Sequence, residues 1–155
     1  MARPRESTPA TTPERRAARE LLKRACFVSQ SETVEAAIGP LLADPVDWDD
    51  VLQYGARHRV LGLVEYALRH VSSRSLDAVP EQVRRHLLAA GLQHEVETRT
   101  KLSLVKSLLE RLGARGIGAM VLKGLTLAAL YPELRLRPSD DIDLLVGERD
   151  WPVVA

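Results

Sequence analysis

Two aspartates separated by one residue, Asp141 and Asp143, have the residue type and spacing best suited to chemistry in this chain. They stand in the apolar, β-branched run 141–146, which predicts a buried strand. Because side chains alternate along a strand, we expect both carboxylates on one face. Like charges held side by side repel unless a cation neutralises them, and Mg²⁺ favours carboxylate together with phosphate oxygens. The spacing therefore predicts a metal-dependent site for a phosphate-bearing substrate.

A second apolar run, residues 120–122, ends in Lys123 and Gly124 about one strand upstream. A glycine between a strand and a helix lets the backbone approach a phosphate, and the start of the helix directs N–H groups toward it. Lys123 could pair with a triphosphate, could pair with Asp141 or Asp143, or could remain solvated at the end of a strand. Together with the two acids, this turn indicates phosphoryl chemistry on a nucleotide.

The same residues also have ordinary structural interpretations. Asp141 could cap a strand while Asp143 is solvated, and Gly124 alone could form a plain strand-to-helix turn. Function is favoured by the apolar residues around the two acids, because a buried strand makes a carboxylate costly unless it is used. Arg137, in the loop before the acids, could grip a phosphate or could form a surface ion pair with Asp140.

The elements that must position these residues are mostly helical. Helix signals cover four stretches in the first half of the chain: 13–27, 31–40, 47–57 and 61–71. The longest pattern begins at Pro80 and carries an apolar stripe to Gly113, which exceeds the usual length of a globular helix. The period then changes and predicts a strand over 117–122, a short helix over 124–130 and a strand over 141–146.

These elements predict an α+β fold, in which a helix-rich N-terminal module is followed by the start of an α/β core. That core consists of two strands with a short helix between them. We predict a disordered tail over residues 1–13, a helical module over 14–113 and an incomplete core over 114–155. Two strands alone make a poor sheet in water. We therefore expect a fragment of a longer chain or a degenerate relative of one.

Composition excludes several classes of protein. The formal net charge of +1 provides no concentrated basic face for nonspecific nucleic-acid binding. Cys26 is the only cysteine, so the chain has no disulfide framework and no zinc knuckle, and a cytoplasmic location is expected. No apolar run approaches the roughly 20 residues that span a bilayer, so no membrane partner is expected.

Several of these segments resemble one known family. They are the Leu122–Gly124 block, Tyr131, the Leu136–Pro138 stretch and the run 141–146. They are similar to the bacterial nucleotidyltransferase-like family of the DNA polymerase β-type nucleotidyltransferase superfamily. The helical segment before them is also similar to that family, so the resemblance spans roughly residues 44–147.

The resemblance implies transfer of a nucleoside monophosphate from an NTP to an acceptor, which is a protein, a small molecule or an RNA end. It implies that Asp141 and Asp143 are the catalytic metal ligands and hold two Mg²⁺ ions about 3.5–4 Å apart. Lys123, Gly124 and Arg137 are predicted to bind the nucleotide. The expected cofactor is therefore Mg²⁺ and the expected partner is an NTP.

The sequence departs from the family pattern at three points. Leu125 stands where Ser or Gly is common, and Asp140 stands where a small residue is common. The third carboxylate, which the pattern takes from a later strand, has no counterpart before Ala155. We therefore expect a nucleotidyltransferase truncated before that carboxylate. The alternative is a non-catalytic helical interaction module, an inactive relative whose long helix binds a partner chain.

Overall fold

A computed structural model describes residues 12–27 and 33–154 of the 155-residue chain. Almost all of the predicted tail over 1–13 lies outside these ranges. The helices before the sheet are α1 (Pro13–Phe27), α2 (Val34–Leu42), α3 (Trp48–Arg57), α4 (Leu61–Arg69), α5 (Ser73–Leu76) and α6 (Glu81–Gly113). The later elements are β1 (Ala119–Leu122), α7 (Gly124–Ala128), a 3₁₀ turn (Leu134–Leu136), β2 (Asp143–Val146), a second 3₁₀ turn (Glu148–Asp150) and α8 (Trp151–Val154).

The helix starts follow local capping chemistry. The Asp47 side chain accepts the backbone N–H of Asp50 at 3.0 Å and so begins α3. The predicted end of α2 at Pro40 is wrong, because the helix continues through it to Leu42. Leu42 is buried in the core, and its packing outweighs the hydrogen bond that proline cannot donate. Between α4 and α6 the chain forms the short helix α5, which the helix signals of the sequence do not include.

The core of the helical module is aliphatic and lies among α1, α2, α3, α4 and α6. Its most deeply buried side chains include Leu21, Ile38, Val51, Val64 and Leu87, none more than 1% exposed. Helix α4 contacts α1, α3 and α6 and is therefore the central element. Each such side chain contributes about 1.5–3 kcal/mol of burial free energy, which makes this region the stable part of the fold.

Helix α6 is 33 residues long, which confirms the predicted length above 30 residues. Its buried positions include Val83 and Leu87, which belong to the core of the module. Within the described residues the apolar stripe is covered only in part, because Leu88, Leu92 and Val96 are exposed. These three follow each other at four-residue spacing and lie on a neighbouring face of the helix.

The C-terminal segment contains a two-stranded antiparallel sheet in which Leu122 pairs with Asp143 and Ala119 pairs with Val146. Both strands begin two residues later than the sequence predicts. The prediction of a buried strand is also wrong. Met120 and Leu145 pair across the sheet and are both about half exposed, because no further strand or helix of the described residues covers that face.

The α+β class, with a helical region followed by two strands around a short helix, is confirmed. Within the described ranges, no helix combines the length and apolarity needed to cross a bilayer. The cytoplasmic location and the division into tail, module and incomplete core stay predictions.

Candidate functional site

The five residues predicted to form the site line a single cleft of about 600 Å³. The cleft lies between the turn that joins α3 to α4 and the C-terminal segment. The predicted residues that line it are Lys123, Gly124, Arg137, Asp141 and Asp143. They come from two separate stretches of the chain: the turn after β1, and the loop before β2 together with the first residue of that strand. The fold therefore gathers two carboxylates and two cationic side chains around one space.

Asp143 is the first residue of β2, and its carboxylate is close to the ammonium group of Lys123. The distance from Lys123 Nζ to Asp143 Oδ2 is 3.5 Å. The side chains are 76% and 46% exposed, so this ion pair contributes little to stability. Of the three alternatives for Lys123, the structure therefore shows pairing with Asp143, in an arrangement open to exchange with a ligand.

The backbone of Lys123 is unusual for a residue with a side chain. Its φ is 53° and its ψ is −134°, a region that favours glycine. Such a conformation costs of the order of 1–3 kcal/mol and persists only where the surroundings impose it. The turn directs the chain from β1 into α7 and brings Gly124 against the loop that carries the acids.

Gly124 is required by the packing of residues 139–142, which we call the acidic loop. A Cβ atom on Gly124 would lie 2.3 Å from the Oγ atom of Ser139, closer than real Cβ contacts allow. The Ser139 hydroxyl in turn donates to the carbonyl oxygen of Asp141 at 2.9 Å. Gly124 therefore fixes how near the acidic loop comes to the turn after β1. Its predicted contact with a phosphate stays a prediction.

Asp141 lies in the acidic loop and not in β2, so the argument from side-chain alternation does not apply to it. It is exposed, and it still lines the same cleft as Asp143. Residues 12–27 and 33–154 contain no group of three or more His, Cys, Asp or Glu arranged to hold a metal ion. Mg²⁺ is commonly bound by one or two carboxylates plus substrate phosphates and water. The donor set of Asp141 and Asp143 fits that kind of site.

The helical module holds the acidic loop through side chains that sequence analysis missed. The Arg59 guanidinium forms an ion pair with Asp140, and its Nη2 donates to Glu97 Oε2 at 3.5 Å. Lys101 donates through Nζ to the carbonyl oxygen of Ser139, and the same Nζ lies 3.3 Å from the carbonyl oxygen of Asp140. Asp140 thus pairs with Arg59, and not with Arg137 as one alternative had it.

Arg59 has a positive φ of 58° at the end of α3. Its N–H donates to Ala56 O at 3.1 Å, and the N–H of Val60 donates to Gly55 O at 2.9 Å. This pair of bonds is the Schellman motif, whose left-handed residue is usually glycine. The left-handed conformation costs an L-residue roughly 1–2 kcal/mol. A charged side chain with two ion-pair partners therefore occupies a position at which glycine is the favoured residue.

A network of four charged side chains, two of them buried, connects the 3₁₀ turn before the acidic loop to the module. Arg135 is 9% exposed, and its Nη2 lies 3.3 Å from Glu65 Oε2. Arg69 joins the two regions as well, because it reaches Glu65 and Glu133 at 2.8 Å each. The guanidinium lies against α6 at Gly91, where a Cβ would be 3.4 Å from Arg135 Nη1, an ordinary van der Waals distance. The network contains two arginines and two glutamates, so its charges balance.

Burial and pairing shift the carboxyl groups of this network in opposite directions. Burial raises the pKa of Glu65, against the pull of Arg135 and Arg69. Burial also acts to raise the pKa of Glu133, but hydrogen bonds from Arg69 and Arg135 outweigh it and hold that pKa below its ordinary value. The network therefore fixes the chain just before the acidic loop with one strongly paired and one strongly desolvated acid.

The cleft continues past the turn between α3 and α4 into a second depression of about 410 Å³. The two spaces share Cys26, His58 and Val60 as lining residues. The second one adds Tyr54, whose ring is 4.6 Å from the ring of His58, and Arg19, whose guanidinium carbon lies 5.4 Å from the Tyr54 ring. An aromatic and cationic surface therefore adjoins the space that the two aspartates line.

Residues 44–155 match the family described as uncharacterised nucleotidyltransferase. The match covers more than half of the chain and includes all five predicted site residues. No curated protein and no solved structure matches the chain.

Proposed function

The chain belongs to the family of uncharacterised nucleotidyltransferases, and from that premise we propose that it transfers a nucleoside monophosphate from an NTP to an acceptor with the help of Mg²⁺. The observation that supports this proposal is the convergence of five residues, from the two stretches 123–124 and 137–143, on one cleft. A cleft lined by two carboxylates and two cationic side chains is the arrangement that a metal-bound triphosphate needs. We propose a cytoplasmic location as well, because the reaction consumes NTPs.

In this proposal Asp141 and Asp143 hold Mg²⁺ through their carboxylate oxygens. Bound there, Mg²⁺ supplies neutralisation of the charge that accumulates on the phosphates during transfer. Asp141 is exposed and Asp143 has only the 3.5 Å contact with Lys123, so neither carboxylate is committed to a buried partner. Lys123 can therefore move from Asp143 to a phosphate oxygen when the acids bind the cation.

Arg137 is the second group proposed to bind the triphosphate. It is partly buried in the wall of the cleft, and a guanidinium can contact two phosphate oxygens at once. Lys123 and Arg137 together would orient the triphosphate for attack on its α-phosphorus. The acceptor hydroxyl then bonds to that phosphorus, the bond to the β-phosphate oxygen breaks, the acceptor proton is lost to solvent, and pyrophosphate leaves.

The adjoining depression beside Tyr54 and His58 offers space for the nucleoside or for the acceptor. Its aromatic rings and Arg19 suit a flat or anionic group. The acceptor class remains as broad as the sequence made it: a protein side chain, a small molecule or an RNA end.

The test is incubation with each of the four NTPs labelled at the α-phosphate, in Mg²⁺ or Mn²⁺, beside measured binding of the Mn²⁺–NTP complex. We expect Asp141→Asn and Asp143→Asn to weaken Mn²⁺–NTP binding by about tenfold or more, and to abolish any label transfer. Asp44→Asn is the matched control, because it makes the same change on an exposed loop residue outside the cleft. Equal binding and labelling by all four proteins would contradict the proposal.

A second candidate function is a non-catalytic interaction module. The observation that favours it is the exposed row Leu88, Leu92 and Val96 on α6. Exposed apolar side chains in a row are typical of surfaces that bind another chain. If the aspartate variants bind Mn²⁺–NTP like wild type while a Leu92→Asp variant loses self-association or partner binding, this second function replaces the first.

A further inference from the structure

We propose that Arg59, a residue of the helical module, is a positioning residue for the acidic loop. Lys101 of the same module holds the backbone of this loop in addition. The inference rests on the proposed function, since it concerns how Asp141 and Asp143 are held toward the cleft. It assigns a role to a residue far from the acids in sequence. The geometry that carries it is the contact between the α3–α4 turn, α6 and the acidic loop.

The turn that ends α3 places Arg59 in a backbone conformation that is unfavourable for a residue with a side chain. The two hydrogen bonds that end α3 hold Arg59 in the left-handed region with a φ of 58°. That position favours glycine, because a side chain there is strained. An arginine at this position is explained by what its side chain reaches and not by what the backbone prefers.

The Arg59 side chain contacts both the long helix α6 and the acidic loop. Arg59 pairs with Asp140 on one side and with Glu97 of α6 on the other. Its guanidinium therefore bridges the long helix and the acidic loop. Lys101, one helical turn after Glu97, donates to the carbonyl oxygens of Ser139 and Asp140. Two cations on the module thus hold both the backbone and one side chain of the loop.

The ion pair with Arg59 also changes the charge repulsion among the carboxylates of the acidic loop. Asp140 adds a third negative charge directly beside Asp141 and close to Asp143 along the chain. Three neighbouring carboxylates repel one another and would spread the loop. Pairing with Arg59 offsets the charge of Asp140, which lines the same cleft, so that Asp140 adds less to the repulsion between Asp141 and Asp143.

The ion pair between Arg59 and Asp140 positions the acidic loop without contributing much to the stability of the whole protein. The Arg59 and Asp140 side chains are 33% and 65% exposed. An ion pair with that exposure contributes little to the stability of the whole protein. Replacing Arg59 with glycine also relieves the left-handed backbone. The positioning role therefore predicts a variant that is as stable as wild type and has a looser site.

The experiment compares wild type, Arg59→Gly and Arg59→Lys by three measurements on the complete chain. The first is the melting temperature, and the second is the backbone ¹⁵N order parameter of the acidic-loop amides. The third is the affinity for Mn²⁺ with ATP, followed through the EPR signal of free Mn²⁺. Arg57→Gln is the control, because Arg57 is an exposed arginine at the end of α3, two residues before Arg59, and does not line the cleft.

For Arg59→Gly we expect a melting temperature equal to or above that of wild type. We expect the loop order parameters to fall from about 0.85 toward 0.6, with no change elsewhere. We expect Mn²⁺–ATP affinity to fall roughly tenfold, the usual effect of removing a group that holds a metal ligand. Arg59→Lys should recover part of the affinity, and Arg57→Gln should match wild type in all three measurements.

Unchanged order parameters in Arg59→Gly would overturn the inference, whatever the metal data show. A looser loop with unchanged Mn²⁺–ATP affinity would also overturn it, provided that Asp141→Asn weakens binding in the same assay. If Asp141→Asn leaves the affinity unchanged, the proposed function fails, and the order parameters still decide whether Arg59 holds the loop.

Discussion

The helical module and the C-terminal segment are built in opposite ways. The module, α1 to α6, encloses an aliphatic core in which side chains such as Leu21 and Val64 are fully buried. The segment from β1 to α8 has two short strands and leaves Met120, Leu130 and Leu145 largely exposed. The residues that carry the proposed chemistry lie mostly in the second region. Core packing stabilises the helical module, and contacts with the module hold the C-terminal segment in place.

This difference shows how a weakly packed segment can still present a defined site. Arg135 and Leu136 are buried against the module, and Arg59 and Lys101 reach out of it to the acidic loop. The C-terminal segment is thus fixed at two places by the stable region. Variants that remove either connection, or that change the packing of only one region, test this comparison.

The largest effect is expected from breaking the buried pair of Arg135 and Glu65. Arg135→Ala removes the buried one of the two arginines that pair with Glu65 and leaves this carboxylate with the exposed Arg69 alone, so we expect a loss of about 3–5 kcal/mol in the free energy of unfolding. Urea denaturation measures it. The double variant Arg135→Met with Glu65→Leu removes both charges and should recover most of the loss. A loss below about 1 kcal/mol in the single variant would show that the segment does not depend on this contact.

A pair of leucine truncations compares the two regions directly. Leu21→Ala, at a fully buried position, should cost about 2–5 kcal/mol in unfolding free energy, because it removes core contacts and leaves a cavity. Leu145→Ala, on the half-exposed strand, should cost less than about 1 kcal/mol. Equal losses in matched urea titrations would mean that the sheet is as well packed as the helical core.

Gly124→Ala tests the packing between the turn after β1 and the acidic loop. The new Cβ would meet Ser139, and we expect a cost of about 1–3 kcal/mol in unfolding free energy. Adding Ser139→Gly removes the atoms that collide and should restore most of the stability. If the second change rescues nothing, the close approach of the loop to Gly124 is not what requires the glycine.

The smallest effect is a pH dependence at the junction. Arg69 and Arg135 hold the pKa of Glu133 below its ordinary value of 4.5 despite burial, so its carboxylate stabilises the fold above about pH 4.5. That contribution is lost as the pH falls through the lowered pKa. Glu133→Gln should therefore melt below wild type at pH 7, and the difference should shrink toward pH 3. A difference that is constant with pH would contradict the assigned charge.

Local patterns in the sequence predicted much of this structure. Asp47 marks a helix start, the apolar periodicity gives the long helix, and the spacing of Asp141, Asp143 and Gly124 identifies the cleft. These features depend on neighbours within a few residues. The sequence pattern starts β2 two residues too early, because Asp141 belongs to the same β-branched run, although Ser139 and the loop contacts keep Asp141 outside the ladder.

The contacts between the two regions could not be predicted from the sequence. Arg59 meets Asp140, and Glu65 meets Arg135, across 70 or more residues of chain. Nothing in the local sequence around either arginine indicates such a partner. The left-handed backbone of Arg59 also has no sequence signal, since glycine or asparagine normally marks that conformation.

The central claim is that Asp141 and Asp143 bind a cation together in the cleft between the two regions. Anomalous diffraction from crystals grown with Mn²⁺ and a non-hydrolysable NTP tests it most directly. The account predicts a Mn²⁺ peak within about 2.5 Å of an oxygen of each carboxylate, with the triphosphate against Lys123 and Arg137. A Mn²⁺–NTP complex bound elsewhere on the protein, with both carboxylates free of metal, would contradict it.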